Sequence, residues 1–275
     1  MQDLAEHEID QMLACIDLYE LPEPHEHALV EQAHSRVLGL FGAAPQAAAI
    51  DASQAGAAVV NNVVLSFVAG MSQQAREDVN DIFLYASLAA TKKFPDKTQG
   101  EEWFHFFLKV MRSFGWLATG TAYNRYETTD TKATIADVAL KILETSLLAA
   151  ALPAATSVMM LSVATSALKT LQSKDGAPKR LFQRSTEGND AHQFAVGSCV
   201  QAGDSNVAVV ISFMAFERKK APGQVLCFEW DLSSVQLCSG MAKIEFSARN
   251  YGRVRERIQE ALTDHMLGAI EQFPI

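Results

Sequence analysis

Apolar positions change their spacing once along this chain, near Lys174-Asp175-Gly176-Ala177-Pro178. Before that breaker they recur every three or four residues, the period of a helix with one buried stripe. After it they alternate, and β-branched and aromatic residues become more frequent. The spacing predicts a first helix over residues 3–19, with Leu4, Ile9, Met12, Leu13 and Ile16 along one side, halted by Pro22 and Pro24. A second is expected over 24–41, ending at Gly42, and a third over 52–70. A fourth, over 72–94, carries a stripe of Val79, Ile82, Phe83 and Ala86 and stops at Pro95. Asp96 and Thr98 are N-cap candidates for a fifth, over 101–114, with Trp103, Phe104, Phe106 and Phe107 on it. Residues 115–130 read as an ordered loop, and 132–173 as a long helical region broken at Pro153.

Beyond the breaker, strand-like runs fall at 180–186, 193–201, 207–217, 224–231, 235–237 and 241–247. Turn chemistry separates them at Gly188-Asn189-Asp190, Gly203-Asp204-Ser205-Asn206, Pro222-Gly223 and Ser239-Gly240. In the fourth run Leu226, Phe228 and Trp230 alternate with Cys227, Glu229 and Asp231, the pattern of a sheet with one covered face and one wetter face. A closing amphipathic helix is expected over 250–273, with Tyr251, Val254, Ile258, Leu262, Met266, Ile270 and Phe273 on one side. No fixed-period repeat appears. These elements imply an α+β fold, an alanine-rich helical layer packed on an antiparallel β-meander and closed by a C-terminal amphipathic helix. One intertwined unit over 1–275 is expected, because a lone sheet would leave its apolar face uncovered. Within it, 1–42 form an acidic helical arm, 43–176 the helical part, and 177–275 the meander and last helix.

Charge sharpens this picture. The formal net charge is −9, and the nine acids Asp3, Glu6, Glu8, Asp10, Asp17, Glu20, Glu23, Glu26 and Glu31 precede the first Lys or Arg. The rest of the chain is electrically even, so the acidity belongs to the arm. An acidic arm on a neutral, apolar body suggests a shield that something must displace. His7, His25, His27 and His34 would offset part of that charge near pH 6, an acid-sensitive latch. An even body charge with one short basic cluster, Arg218-Lys219-Lys220, argues against nucleic acid as a partner. The N-terminus lacks the basic and apolar regions of a classical secretory signal, so synthesis in a reducing cytoplasm is expected, with any export by a leaderless or specialised route.

Two stretches of 24 residues, 52–75 and 145–168, hold no charged side chain. At about 1.5 Å per residue each is long enough to cross a hydrocarbon core of about 30 Å. Ala, Ser, Thr, Asn61 and Asn62 fill much of them, so buried core helices with close small-residue packing are the alternative. If the stretches meet lipid, Val59, Val60, Val63, Val64, Leu65, Leu147, Leu148, Met159, Met160 and Leu161 are the candidate membrane-contacting residues.

Cysteine offers a second chemistry. Cys199, in Gly197-Ser198-Cys199-Val200, falls late in a strand before a polar turn, where a thiol would be reachable and open to acylation. The four cysteines form neither a disulfide framework nor a zinc spacing, and no metal is expected. Pairing Cys199 with His192 as a nucleophile is disfavoured, since residues seven apart in a strand face opposite ways. His27, Glu31 and His34 share a helical face that reads as a solvated acidic surface. Carboxylate pairs Glu101–Glu102 and Asp78–Asp81 read as exposed helix residues or helix-start acids.

The layout of helices first, a meander holding Gly197-Ser198-Cys199, and a last helix headed by Tyr251, Arg253 and Arg255 resembles the Evf-type bacterial virulence factors. The resemblance implies a non-enzymatic virulence or insecticidal-type protein that acts at a host membrane or membrane receptor, with Cys199 as the residue bearing a covalent fatty acid. It implies no other cofactor. A pore-forming reading stands on the charge-free stretches without Cys199, and a homo-oligomer would fit it. Two other classes are compatible with the residues. One is a small cytoplasmic acyl-transfer enzyme using Cys199, and the other an interaction module whose acidic arm docks on a basic partner.

Overall fold

The computed structural model describes residues 6–22, 53–128, 132–173, 175–186, 191–203, 206–217, 229–231, 236–263, 265 and 269–275. The chain folds as an α+β structure around a seven-stranded mixed sheet. Its strands are β1 (Gly56–Val60), β2 (Val63–Phe67), β3 (Leu117–Arg125), β5 (Ala191–Ala202), β6 (Asn206–Glu217), β8 (Gln236–Ser247) and β9 (Ile270–Pro274), in the order β3-β8-β6-β5-β2-β1-β9. Strands β4 (Lys132–Thr134) and β7 (Glu229–Asp231) form a separate pair. The helices are α1 (Glu6–Leu18), α2 (Gln73–Lys93), α3 (Gly100–Ser113), α4 (Ile135–Ala149), α5 (Ala154–Ser173), α6 (Ala177–Thr186), α7 (Ala248–Tyr251) and α8 (Arg255–Leu262).

The expected β5-β6-β8 meander is present and antiparallel. It is extended by β2, which joins β5 in parallel with Phe67 opposite Cys199. That addition corrects the helix expected over 52–70. Val59-Val60 and Val63-Val64 are β-branched pairs about an Asn61-Asn62 turn, and Asn61 takes the left-handed backbone (φ +51°) that such a turn requires and Asn tolerates. The resulting strands are buried on both sides, so their apolar run is continuous and shows no period of two.

Both sheet faces are covered, where one helical layer was expected. Residues of one parity, among them Leu65, Cys199, Ile211, Phe213 and Phe246, meet α1, α2, α3 and α8. Those of the other parity, among them Val64, Val196, Val210, Met214 and Phe216, meet α4, α5 and α6. The first face is an aromatic stack: Trp103 lies 5.3 Å from Phe213, and Trp116 lies 3.6 Å from Phe246, ring centre to ring centre. The second is apolar with two buried hydroxyls that bond helix carbonyls: Ser198 donates to the Met160 carbonyl at 2.8 Å, and Ser212 to the Ala139 carbonyl at 3.4 Å. Helix α1 docks on the aromatic side through Met12, Ile16 and Tyr19, and the Tyr85 hydroxyl donates to the Ile16 carbonyl at 2.9 Å. Its acids Glu6, Glu8 and Asp10 stay exposed.

Further expectations are corrected. Residues 117–125, read as loop, form edge strand β3, and 180–186, read as strand, belong to α6, which buries Leu181 and Phe182. Ser239-Gly240 is no turn but the middle of β8: a Cβ on Gly240 would meet the Phe104 ring at 2.8 Å, so the glycine marks a close approach. The closing helix stops at Leu262, and Ile270–Pro274 instead pair with the outer edge of β1, burying Phe273 on the second face. Helix α3 is capped at Gln99, while Asp96 accepts from the Thr98 N–H at 2.9 Å. The expected helix over 24–41, His25, His27 and His34, Cys227, and the basic cluster at 218–220 lie outside the described residues.

Asp78 and Asp81 were expected on an exposed face, yet both are buried under α8. Arg255 grips Asp78 with two parallel bonds of 2.6 and 2.7 Å, and Gln259 donates to Asp81 at 2.9 Å. Replacing Arg255 by Met strands a buried carboxylate and is expected to cost about 2–4 kcal/mol in urea unfolding; Asp78→Asn in that background should recover much of the loss. Independent, additive effects would refute the coupling. Burial pushes the Asp81 carboxyl up to about 6, with Gln259 opposing and Asp78 and Glu77 adding. A raised carboxyl favours the fold below its unfolded pKa and loses that contribution as pH climbs through about 6. Asp81→Asn should therefore gain stability relative to the parent at pH 7.5 and lose that advantage at pH 4. An advantage independent of pH would show that Asp81 is not the titrating group.

Candidate lipid-facing surface

The second charge-free stretch folds as two helices around Pro153. Thr134 caps α4, accepting from the Asp137 N–H at 3.1 Å and donating to the Asp137 carboxylate at 2.7 Å. The buried stripe of α4, including Val138, Ile142 and Leu147, lies against β6 and β8. The Ala150 N–H closes the last turn onto the Ser146 carbonyl at 2.9 Å. Ala151 then takes the left-handed backbone (φ +51°), and Pro153, whose carbonyl accepts from the Ser157 N–H at 3.0 Å, starts α5.

Helix α5 buries Met160, Ala164, Ala167, Leu168 and Leu171, a narrow apolar stripe at helical spacing. Exposed apolar side chains gather at the start of α5 and the end of α4. Leu148 is 77% exposed, Val158 68% and Met159 46%, and Ala151, Pro153, Ala154 and Ala155 between them are exposed too. These account for three of the five large hydrophobics exposed among the described residues. The nearest charges along the chain are Glu144 and Lys169. Among the described residues, α5 is the one helix long and apolar enough to cross a membrane, and 28% of its most apolar stretch is buried. In space Lys243 lies beside Ala149, Ala150 and Ala151, its ammonium 3.0 Å from the Glu245 carboxylate, so the corner carries no charge of its own and its nearest ion is already paired.

The candidate membrane-contacting residues therefore divide. Leu148 and Met159 are at the surface, Leu161 is half-buried, and Leu147 and Met160 face the sheet. Val59, Val60, Val63, Val64 and Leu65 are strand residues with no exposed surface. The structure adds Val158 and the alanines beside it. The signal for Val158 is the stripe that runs from Met160 at helical spacing to Leu171, which leaves Val158 and Met159 on the outward side.

Cys199, expected to be reachable, is fully buried between β2 and β6. Burial pushes its thiol well above the usual range, with only partial relief from Arg76. Acylation there would require the helical layer over that face to lift. Cys15 and Cys238 are half-buried, and Cys238 shares a side-chain bond with Tyr123. His192 faces the opposite side of the sheet from Cys199, its ring stacked 5.2 Å from that of Phe216. Burial holds its imidazole below the usual range, with Lys97 acting in the same direction. Cys199 and His192 are thus not brought together, as strand parity implies. Among the described residues no group of three His, Cys, Asp or Glu side chains could hold a metal ion.

No family model matches the chain, and no curated protein matches it. Among solved structures, a delta-endotoxin is similar at a TM-score of 0.40 with 10% identity, over 68% of this chain and 80% of its own. The Evf virulence factor is similar at a TM-score of 0.33 with 10% identity, over 74% of this chain and 81% of its own. The Evf-type resemblance read from the layout thus meets a distant neighbour of that name, and at these values neither neighbour assigns a family or an activity.

Proposed function

We propose that this protein is a non-enzymatic membrane-acting protein of the toxin or virulence-factor kind, which meets a host membrane through the corner between α4 and α5. The supporting observation is the exposed, charge-free cluster of Leu148, Val158 and Met159 at the turn of the hairpin. Moving such side chains from water into the lipid interface is worth about 1.5–3 kcal/mol each when fully buried, enough together to hold a protein on a membrane. The reading does not depend on Cys199, and it adds nothing from neighbours whose TM-scores fall below 0.5.

Co-flotation with phosphatidylcholine vesicles carrying trapped dye tests it. The parent is expected to float, and the triple variant Leu148→Glu/Val158→Glu/Met159→Glu to lose about tenfold or more of that binding. Leu117→Glu, a charge placed on the exposed Leu117 of edge strand β3, should float like the parent. Leakage from floated vesicles indicates insertion, and intact vesicles indicate a surface contact. A parent that stays unbound at both pH 5 and pH 7.4, or a triple variant that floats unchanged, overturns the assignment.

A further inference from the structure

A second surface feature lies on the aromatic side of the sheet, away from the α4–α5 corner. The end of α1, the last turns of α2 and the outer side of α3 enclose an open cavity of about 630 Å³. That volume falls within the range of small-molecule sites, about 300–1,000 Å³. One wall is apolar, formed by Leu18, Tyr19, Ala89 and Phe106, and the remaining lining is charged. Leu18 is 70% exposed there, with no core to join. The Tyr19 hydroxyl bonds Ser113 at 2.8 Å and the Tyr19 ring stands edge-on to Phe106 at 5.7 Å, so this wall is held in place.

The rim is cationic. Lys92 and Lys93 come from α2 and Lys109 from α3, with Glu20 as the acid beside them. Helix polarity accounts for Lys92 and Lys93, which sit in the last turn of α2 near its carbonyl end. Lys109 precedes the last turn of α3, and its ammonium lies 6.0 Å from the centre of the Phe106 ring at the same cavity. Three cations from two helices over an apolar wall complement a molecule with an anionic head and an apolar body.

We propose that this cavity binds a single-chain anionic amphiphile, its head held by Lys92, Lys93 and Lys109 and its chain laid along Leu18 and Phe106. The site is separate from the lipid-facing corner and does not rest on the membrane reading. Isothermal titration calorimetry with laurate below its micelle concentration tests it on the full chain at low salt. One saturable site is expected, with acetate and the uncharged amphiphile dodecyl maltoside each binding about tenfold or more weakly. Lys92→Gln/Lys93→Gln/Lys109→Gln should weaken laurate by about tenfold or more without moving the thermal midpoint, since surface substitutions of this kind rarely alter stability. Leu18→Ser should weaken it too, whereas the α4–α5 triple variant should not. Laurate binding that survives the lysine substitutions, follows the α4–α5 variant, is matched by dodecyl maltoside, or is absent overturns the proposal.

Discussion

Burial of the central strands on both faces is the constraint on which the rest of the structure depends. Strands β2, β5 and β6 carry almost unbroken runs of buried residues, and no single helical layer could cover both parities. Helices must therefore lie on each side, and the chain divides accordingly: α1 to α3 with α7 and α8 on one face, α4 to α6 on the other. The parallel β2–β5 pairing joins the early hairpin to the late meander. Since parallel neighbours need a long crossover, α2 to α6 lie between them in sequence, and β9 returns to cover the edge of β1.

The two layers are not equivalent. On the first face, rings of Trp103, Phe104, Phe107 and Trp116 interlock with Phe213 and Phe246, and the Arg255–Asp78 bonds join α8 to α2 beside them. Large interlocked side chains leave little freedom to repack. On the second face, Ser198 and Ser212 meet helix carbonyls, and α5 packs through Met160, Leu168 and Leu171 with Ala164 and Ala167 among them, so aliphatic side chains and not interlocked rings link α5 to the sheet. The apolar side chains that α5 does not use for the core are turned outward at the hairpin corner. The absence of charge from 145 to 168 is thus two properties at once: a narrow stripe for the sheet and an apolar surface with no partner among the described residues.

Candidate chemistry redistributes when viewed on this frame. Cys199, prominent in the sequence beside glycine and a polar turn, is a core residue, because its parity in β5 sends it under α2. Carboxylates that look solvated along a helix, Asp78 and Asp81, are the ones under α8, where Arg255 grips the first and burial raises the pKa of the second. The lysines around Leu18 and Phe106 come from separate helices and draw no notice along the chain.

Local pattern was sufficient for much of this. The helical period over 72–94 and 101–114, the stop at Pro95, the break at Pro153 and the strand runs at 193–201 and 207–217 match observed elements, because each depends on neighbours a few residues away. The α+β class was legible in the same way. Where tertiary contacts set the outcome, local pattern misled. Residues 56–67 are strands because both their sides are buried, 270–274 because β1 offered an edge, and Gly240 is extended because a ring occupies the space of a side chain. Composition and periodicity thus determined which segments are regular and how apolar they are. Which of two apolar sides reaches the core, and so whether Cys199 is hidden and Val158 exposed, depends on contacts between residues far apart in the chain and was decided only by the assembled sheet.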